Sequence, residues 1–106
     1  MSEPSQSTPP YRIVWSERCR QTTRELLLRA AERGRHAEVA QLLRDIIRRL
    51  EWIPLDFGEP LADHVHTGIQ ERIAPLSPLV VRFGVDEARR LVYVLIPLKL
   101  LANSGL

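Results

Sequence analysis

The runs IQERIA at residues 69–74, LVVRFGV at 79–85 and LVYVLIPL at 91–98 decide the fold of this chain. Each run is rich in β-branched and other apolar residues, and short polar or proline-containing segments separate them. Such runs are typical of strands joined by tight connections. They predict a three-stranded antiparallel meander in the carboxy-terminal half of the chain.

Alternation along the middle run assigns its two faces. Every second residue from Leu79 to Val85 is apolar and lies on one side of the strand, whereas Arg82 lies on the other. The last run is apolar on both sides, which favours a central position in the sheet. Arg72 in the first run and Arg82 in the second predict a basic surface on this sheet, and we expect function there.

A strand and two helices precede the meander. YRIVW at residues 11–15 has the aromatic and β-branched content of a strand, and we expect it to pair with the last run. Ser16 is placed to cap a first helix, and Gly34 is placed to end it in a left-handed conformation. A second helix is expected at residues 36–51, before Pro54. The short link between them predicts an antiparallel helical hairpin.

The second helix carries two adjacent apolar stripes. One consists of Ala40, Leu43, Ile47 and Leu50, and the other of Val39, Leu42 and Ile46. Stripes at this spacing form the buried face of an amphipathic helix. We therefore expect Leu43 and Ile47 to be buried against one face of the sheet.

Two connecting segments have contrasting compositions. WIPLDFGEPL at residues 52–61 predicts an ordered loop, because its five large apolar residues cannot all be left in water. DHVHTG at residues 63–68 is polar, and we expect it to be mobile. The segment from Lys99 onwards is a short tail with no assigned structure.

Length and composition predict one domain. A chain of 106 residues has room for a single modest core, and we assign it to residues 11–106. Residues 1–10 are polar and rich in proline, so we expect a disordered tail and neither a signal peptide nor a membrane anchor. With 44% hydrophobic residues and no apolar run near the length of a bilayer span, we expect a cytoplasmic protein without membrane contact.

The basic residues are almost all arginine. The formal net charge is only +2, but fourteen of the fifteen basic side chains are arginine, which grips phosphate with a bidentate fork. This composition suits nucleic acid binding. Alternatively, many of these arginines only form the solvated faces of helices. A further alternative for the helical arginines is a basic groove between the helices and a partner. These are Arg24, Arg44, Arg48 and Arg49.

The order of elements and three motifs resemble one known family. YRIVW at residues 11–15, PLDFGEPL at 54–61 and PLVVRFGVD at 78–86 are similar to segments of the RelE/ParE superfamily of bacterial toxins. The resemblance covers roughly residues 11–100. It implies an α+β fold in which a strand and an antiparallel helical hairpin are followed by a three-stranded antiparallel meander, with the helices on one face of a single twisted sheet.

The resemblance also implies a function. RelE-like members cleave messenger RNA on the ribosome without a metal or other cofactor, ParE-like members act on DNA gyrase, and an antitoxin encoded nearby neutralises both. By this resemblance the chain is the toxin-like component of a type II toxin–antitoxin module and, if active as a nuclease, a metal-independent endoribonuclease. The alternative is a catalytically silent protein-interaction module of the same fold.

Three basic residues are the candidates for phosphate binding. Arg72 and Lys99 lie near positions where the ribonucleases of the family carry basic groups, and Arg82 lies on the outward side of its strand. Residues 100–106 contain neither the Tyr nor the His that these enzymes carry at the carboxy terminus. The catalytic residues are therefore left unassigned, and the interaction module stays a competing hypothesis.

Other reactive side chains are weaker candidates. His64 and His66 carry imidazole groups, which suit proton transfer, but the sequence assigns them to a loop before the sheet. Their spacing also suits zinc, although no third ligand is defined, so we predict no metal site. Tyr93 is expected to pack in the sheet, and the lone Cys19 to be a buried apolar residue.

Overall fold

The computed structural model describes residues 9–94 and the backbone of residues 99 and 100. In chain order the elements are β1 (Arg12–Trp15), α1 (Glu17–Glu32), α2 (His36–Trp52), β2 (Glu59–His64), β3 (Ile69–Leu76), β4 (Leu79–Asp86), β5 (Leu91–Val94) and β6 (Lys99–Leu100). The predicted α+β class is confirmed, as are the first strand, both helices and the three carboxy-terminal runs. The calls on residues 1–8, 95–98 and 101–106 lie outside the described residues.

Local signals position the two helices. The Ser16 side chain accepts a hydrogen bond from the backbone N–H of Cys19 at 3.1 Å, which satisfies one of the unpaired donors of the first turn of α1. After α1, Gly34 adopts a φ of 68°, a region that a residue without a Cβ occupies without strain. The turn at Gly34 brings α2 back along α1, and the predicted helical hairpin is confirmed.

The strands form one mixed sheet in the order β1-β5-β4-β3-β2. β1 pairs with β5 in parallel, and the other neighbours along this path are antiparallel. The short β6 pairs with the first residues of β4. The central position of the last run, beside YRIVW, is therefore confirmed.

The strand β2 covers the end of the expected loop at 52–61 and the first two residues of the polar segment at 63–68, neither of which was expected to form a strand. It pairs with β3 from Glu59 to His64, with an irregularity between Pro60 and Ala62, so the meander has four strands and not three. All six of its residues are exposed, and this is why no apolar alternation marked it as a strand. Thr67 and Gly68 supply the tight turn, in which both backbone N–H groups donate to the His64 carbonyl.

The core lies between the helical hairpin and one face of the sheet. The alternation in β4 is confirmed, since Leu79, Val81, Phe83 and Val85 are buried whereas Arg82 is exposed. One continuous cluster joins them to α1, α2, β3 and β5. It contains Cys19, Leu26 and Ala30 of α1, Val39, Leu43, Ile46 and Leu50 of α2, Ala74 of β3, and Val92 and Val94 of β5.

One expectation for α2 is corrected. The buried stripe runs through Val39, Leu43, Ile46 and Leu50, whereas Ile47 is only half-buried. The helix is rotated so that the seam between the two predicted stripes faces the core. Ile47 consequently lies at the edge of the helical hairpin and lines a groove there.

The loop before β2 fully buries one of its five large apolar residues. Phe57 is buried and stacks on Phe83 with ring centroids 5.8 Å apart. Trp52, Ile53 and Leu61 stay about half exposed, and Leu55 is partly buried, so the five large apolar residues are not all left in water. Pro54 is also buried, and Leu55 packs against the core cluster.

The described fold includes residues that precede β1. The Pro9 carbonyl accepts hydrogen bonds from Arg90, whose guanidinium also lies 4.1 Å from the centroid of the buried Tyr11 ring. The ordered fold thus begins slightly before residue 11.

Within the described residues, neither helix is both long enough and apolar enough to cross a bilayer.

Candidate functional site

A hollow on the outer face of the sheet, away from the helices, brings together the polar side chains most suited to chemistry. The register pairs Ala62 with Glu71, Glu71 with Gly84, and Gly84 with Tyr93, which makes one row across four strands. Gly84 contributes no side chain to the row, and a Cβ at this position would lie only 2.8 Å from Cγ2 of Ile69. The cavity has a volume of about 440 Å³ and is lined by His64, Thr67, Ile69, Glu71, Arg82, Phe83, Gly84 and Tyr93.

Glu71 is the centre of this site. One of its carboxylate oxygens lies 3.1 Å from Nε2 of His64, and the other accepts a hydrogen bond from Nε of Arg82 at 2.5 Å. The Glu71 side chain is 23% exposed, while those of His64 and Arg82 are about half exposed. The hydrogen bond to His64, and then the one from Arg82, hold the pKa of Glu71 below its usual value. The carboxylate is thus ionised at neutral pH.

An ionised Glu71 determines the tautomer of His64. A carboxylate is acceptor only, so the Nε2 of His64 must be the protonated nitrogen that donates to it. The Nδ1 of a neutral imidazole is then left as a proton acceptor. This is the arrangement by which a carboxylate orients a histidine base.

Part of the Arg82 guanidinium is accessible to a ligand. Only its Nε contacts Glu71, and within the described part of the chain neither terminal nitrogen has a hydrogen-bond partner. Two parallel N–H groups at the edge of a cavity suit the oxygens of a phosphate.

The rest of the cavity is apolar. Ile69 and Phe83 contribute to its lining, and the half-buried ring of Tyr93 lies on the other side of Gly84 from Glu71. Accessible aromatic rings are surfaces on which nucleic acid bases stack. The site therefore combines hydrogen-bond donors suited to a phosphate, an oriented base and a stacking surface.

The structure separates the three predicted phosphate-binding residues. Arg72 pairs with Phe83 and Ile73 pairs with Arg82, so the two arginines lie on opposite faces of the sheet, and the prediction of one shared basic surface is wrong for this pair. Arg72 is buried, with 6% of its surface exposed. Lys99 pairs with Val80, two residues from Arg82 along β4, and its side chain lies outside the described residues.

Arg72 has a structural environment. Its Nε donates to the Phe57 carbonyl at 3.0 Å, one terminal nitrogen donates to the Gly58 carbonyl at 2.9 Å, and the other donates to the side-chain oxygen of Gln70. All of these partners are neutral acceptors from the chain itself. The guanidinium thus holds the loop before β2 against β3.

Sequence reasoning did not place three of the site residues. His64 ends strand β2 and is not part of a loop, no motif in the sequence marks Glu71, and Tyr93 lines the cavity in addition to its predicted packing in the sheet. The Thr67-Gly68 pair was the available signal, because a tight turn after His64 brings it beside Ile69 and Glu71. His66 lies in that turn and does not line the cavity.

Metal binding finds no support in this part of the chain. Among the described residues, no group of three His, Cys, Asp or Glu side chains is placed to hold a metal ion.

Comparison of the chain with protein-family models, with curated proteins and with solved structures finds no match in any of the three. The site is therefore interpreted from its own geometry.

Proposed function

We propose that this protein is an endoribonuclease and the toxin-like component of a bacterial type II toxin–antitoxin module of the RelE/ParE kind. The observation that carries the proposal is the Glu71 carboxylate between His64 and Arg82, at the edge of an open cavity on the outer face of the sheet. Its substrate would be messenger RNA, and a short gene beside its own would encode the antitoxin.

The proposed reaction uses the ribose 2′-hydroxyl as the nucleophile. His64 accepts the hydroxyl proton at Nδ1, the 2′-oxygen forms a bond to the adjacent phosphorus, and the bond from phosphorus to the 5′-oxygen breaks. Tyr93 donates its phenolic proton to that leaving oxygen. The products are a 2′,3′-cyclic phosphate and a 5′-hydroxyl end, and exchange with water restores both protein groups.

Arg82 and Glu71 have supporting roles in this scheme. The terminal nitrogens of Arg82 bind the phosphate and stabilise the charge that develops on its oxygens. Glu71 orients both neighbours and stabilises the imidazolium that forms on His64. The acid–base residues thus come from β2 and β5, whereas the resemblance had implied a Tyr or His at the carboxy terminus.

A catalytically silent interaction module is the second candidate. One observation favours it: Glu71 already neutralises Arg82, and a phosphate must compete with that carboxylate. In this case the outer face would bind RNA weakly or not at all. An action on gyrase would likewise leave RNA intact.

Inducible expression in a bacterial host tests the proposal. We expect growth arrest, with new transcript ends that carry a 5′-hydroxyl, and cleavage of a defined RNA by the purified protein. Replacing His64 by Ala should lower the cleavage rate by about 100-fold, as expected for loss of a general base. Arg82→Ala and Tyr93→Phe should also lower it, whereas Arg48→Ala, an exposed arginine on α2 outside the cavity, should not.

The outcomes separate the candidates. Growth arrest with intact transcripts and inhibited DNA supercoiling would favour gyrase as the target. No arrest, together with no cleavage by a folded purified protein, would favour the interaction module. Cleavage that persists at full rate in His64→Ala and Tyr93→Phe would remove the acid–base assignment.

A further inference from the structure

A second concave surface lies on the opposite side of the molecule, along the helical hairpin. It is an open groove of about 510 Å³ between α1 and α2. Its lining consists of Trp15 at the end of β1, Arg20, Thr23, Arg24 and Leu27 of α1, and Ala40, Leu43, Arg44 and Ile47 of α2. We call this surface the hairpin groove.

Each helix contributes one continuous stripe to the hairpin groove. On α1 the lining residues run from Arg20 to Leu27, and on α2 from Ala40 to Ile47, with spacings of three and four residues. Each stripe covers seven residue steps, which is about 10 Å or two helical turns. The groove is thus long and narrow, with its axis along the two helices.

The floor of the hairpin groove is apolar and incompletely covered. Trp15, Leu27, Ala40 and Ile47 are half-buried, although a core position would bury them fully. Of these, Trp15 and Leu27 also pack against the core cluster. Burial of the remaining apolar surface would stabilise a complex by the same effect that stabilises the core.

The rim of the hairpin groove is positively charged. Arg20, Arg24 and Arg44 are exposed, and within the described residues none of them forms a salt bridge. Arg44 donates only to the neutral side chain of Gln41, at 2.9 Å. None of the described residues that line the groove is acidic. A ligand that carries carboxylates would therefore complement these three arginines, while its apolar side chains would cover the floor.

The walls select the conformation of the occupant. Both walls are helices whose backbone groups are hydrogen-bonded within the helix, so an extended segment would find no backbone partners there. A helical segment satisfies its own backbone and presents side chains at three- and four-residue spacing, which matches the stripes. Nucleic acid would satisfy the arginines but would leave the apolar floor unfilled.

We propose that the hairpin groove binds an amphipathic helix of a partner protein, with leucine-like side chains on the floor and acidic side chains against Arg20, Arg24 and Arg44. The proposal rests on this groove alone. It stands whether or not the outer face of the sheet cleaves RNA.

Selection from a peptide library tests this surface. The probe is a displayed library of helical peptides of about 18 residues, five turns, with random residues on one face, selected on the immobilised full chain. We expect enriched peptides to carry large apolar residues at spacings of three and four, flanked by Asp or Glu. Their binding should be lost in an Ala40→Phe variant, in which a larger side chain fills the groove and an unchanged melting temperature shows an intact fold.

A charge exchange gives the sharper measurement. The double variant Arg24→Glu with Arg44→Glu should weaken an enriched acidic peptide by about tenfold or more, because like charges are then opposed. A copy of that peptide with Lys in place of its acids should bind the double variant better than the unchanged protein. The matched control is Arg29→Glu with Arg48→Glu, which makes the same change in net charge at exposed positions outside the groove.

Three results would overturn the proposal. One is enrichment of peptides without acidic residues, or no enrichment at all. Another is equal weakening in the control double variant, which would mean that binding depends on overall charge. The third is a dimer in light scattering that Ala40→Phe dissociates, since a second copy of the chain would then fill the groove.

Discussion

Arg72 and Phe57 are fifteen residues apart in the chain, and the buried Nε of the arginine donates to the phenylalanine carbonyl at 3.0 Å. The same guanidinium also donates to the Gly58 carbonyl at 2.9 Å. One side chain thereby satisfies the carbonyl of the buried Phe57 and that of the neighbouring Gly58. A buried carbonyl left without a donor would cost free energy. Arg72 is a structural element of this fold.

Replacing Arg72 should therefore destabilise the protein much more than replacing Arg82. We expect Arg72→Leu to cost about 2–5 kcal/mol of unfolding free energy, because it leaves the buried Phe57 carbonyl without a donor and breaks the hydrogen bonds to Gly58 and Gln70. Arg82→Ala removes a half-exposed ion pair and should cost about 1 kcal/mol or less. Chemical denaturation of both variants measures the difference. Equal losses would contradict the assignment of the two arginines to opposite faces.

Two glycines with positive φ should respond very differently to alanine. At Gly34 a Cβ would meet nothing within 4 Å, so Gly34→Ala should cost only the left-handed penalty of about 1 kcal/mol. At Gly58 a Cβ would clash with the Ile73 carbonyl and with Ala74, both in β3. Gly58→Ala should cost about 4 kcal/mol or more, or prevent folding. Thermal melts of the two variants check this, and similar melting temperatures would show that the loop does not pack closely on β3.

The rotation of α2 predicts unequal losses at two adjacent isoleucines. Ile46 is fully buried, so Ile46→Ala should cost about 2–5 kcal/mol. Ile47 is half-buried at the hairpin groove, and Ile47→Ala should cost about 1 kcal/mol. Denaturant titrations of both variants provide the measurement. A larger loss at position 47 would mean that the helix faces the core as the sequence pattern had predicted.

Acid should destabilise the fold through two carboxylates. The pKa of Glu71 lies below its ordinary 4.5, because of His64 and then Arg82, and the pKa of Asp86 lies below its ordinary 3.8, because of hydrogen bonds from the Arg89 side chain and backbone. A lowered folded-state pKa contributes stability that is complete above the unfolded value and is lost as pH falls through the folded value. We expect the melting temperature to fall steeply below about pH 4.

The variants Glu71→Gln and Asp86→Asn test this acid dependence. Each should be less stable than the unchanged protein at neutral pH and should lose less stability on acidification. Melting curves across the acidic range measure both effects. Parallel pH profiles for all three proteins would show that other groups control the acid transition.

The sequence by itself determined the features that depend on neighbouring residues. Ser16 and Gly34 delimit α1 because capping and left-handed turns are local chemistry. The period of two from Leu79 to Val85 assigned the faces of β4 because burial repeats with the strand geometry. The two helices and the central strand followed from the same kind of pattern.

Only the tertiary structure decided the pairing of β2 and the faces of β3. In IQERIA the apolar Ile69 and Ile73 share one side, which favours burial of that side, yet they face outward and Arg72 is buried with Ala74. The reason is the turn at Phe57 and Gly58, which covers the inner side of β3 and requires a donor and a small residue there. A local pattern does not contain that contact.

The candidate site depends on register in the same way. His64, Glu71, Arg82 and Tyr93 come from four strands, and their approach requires the turn at Thr67 and Gly68 and the absence of a side chain at Gly84. The sequence showed that these residue types were present. Strand pairing, which is set by turn geometry and by packing between distant segments, brought them to one cavity.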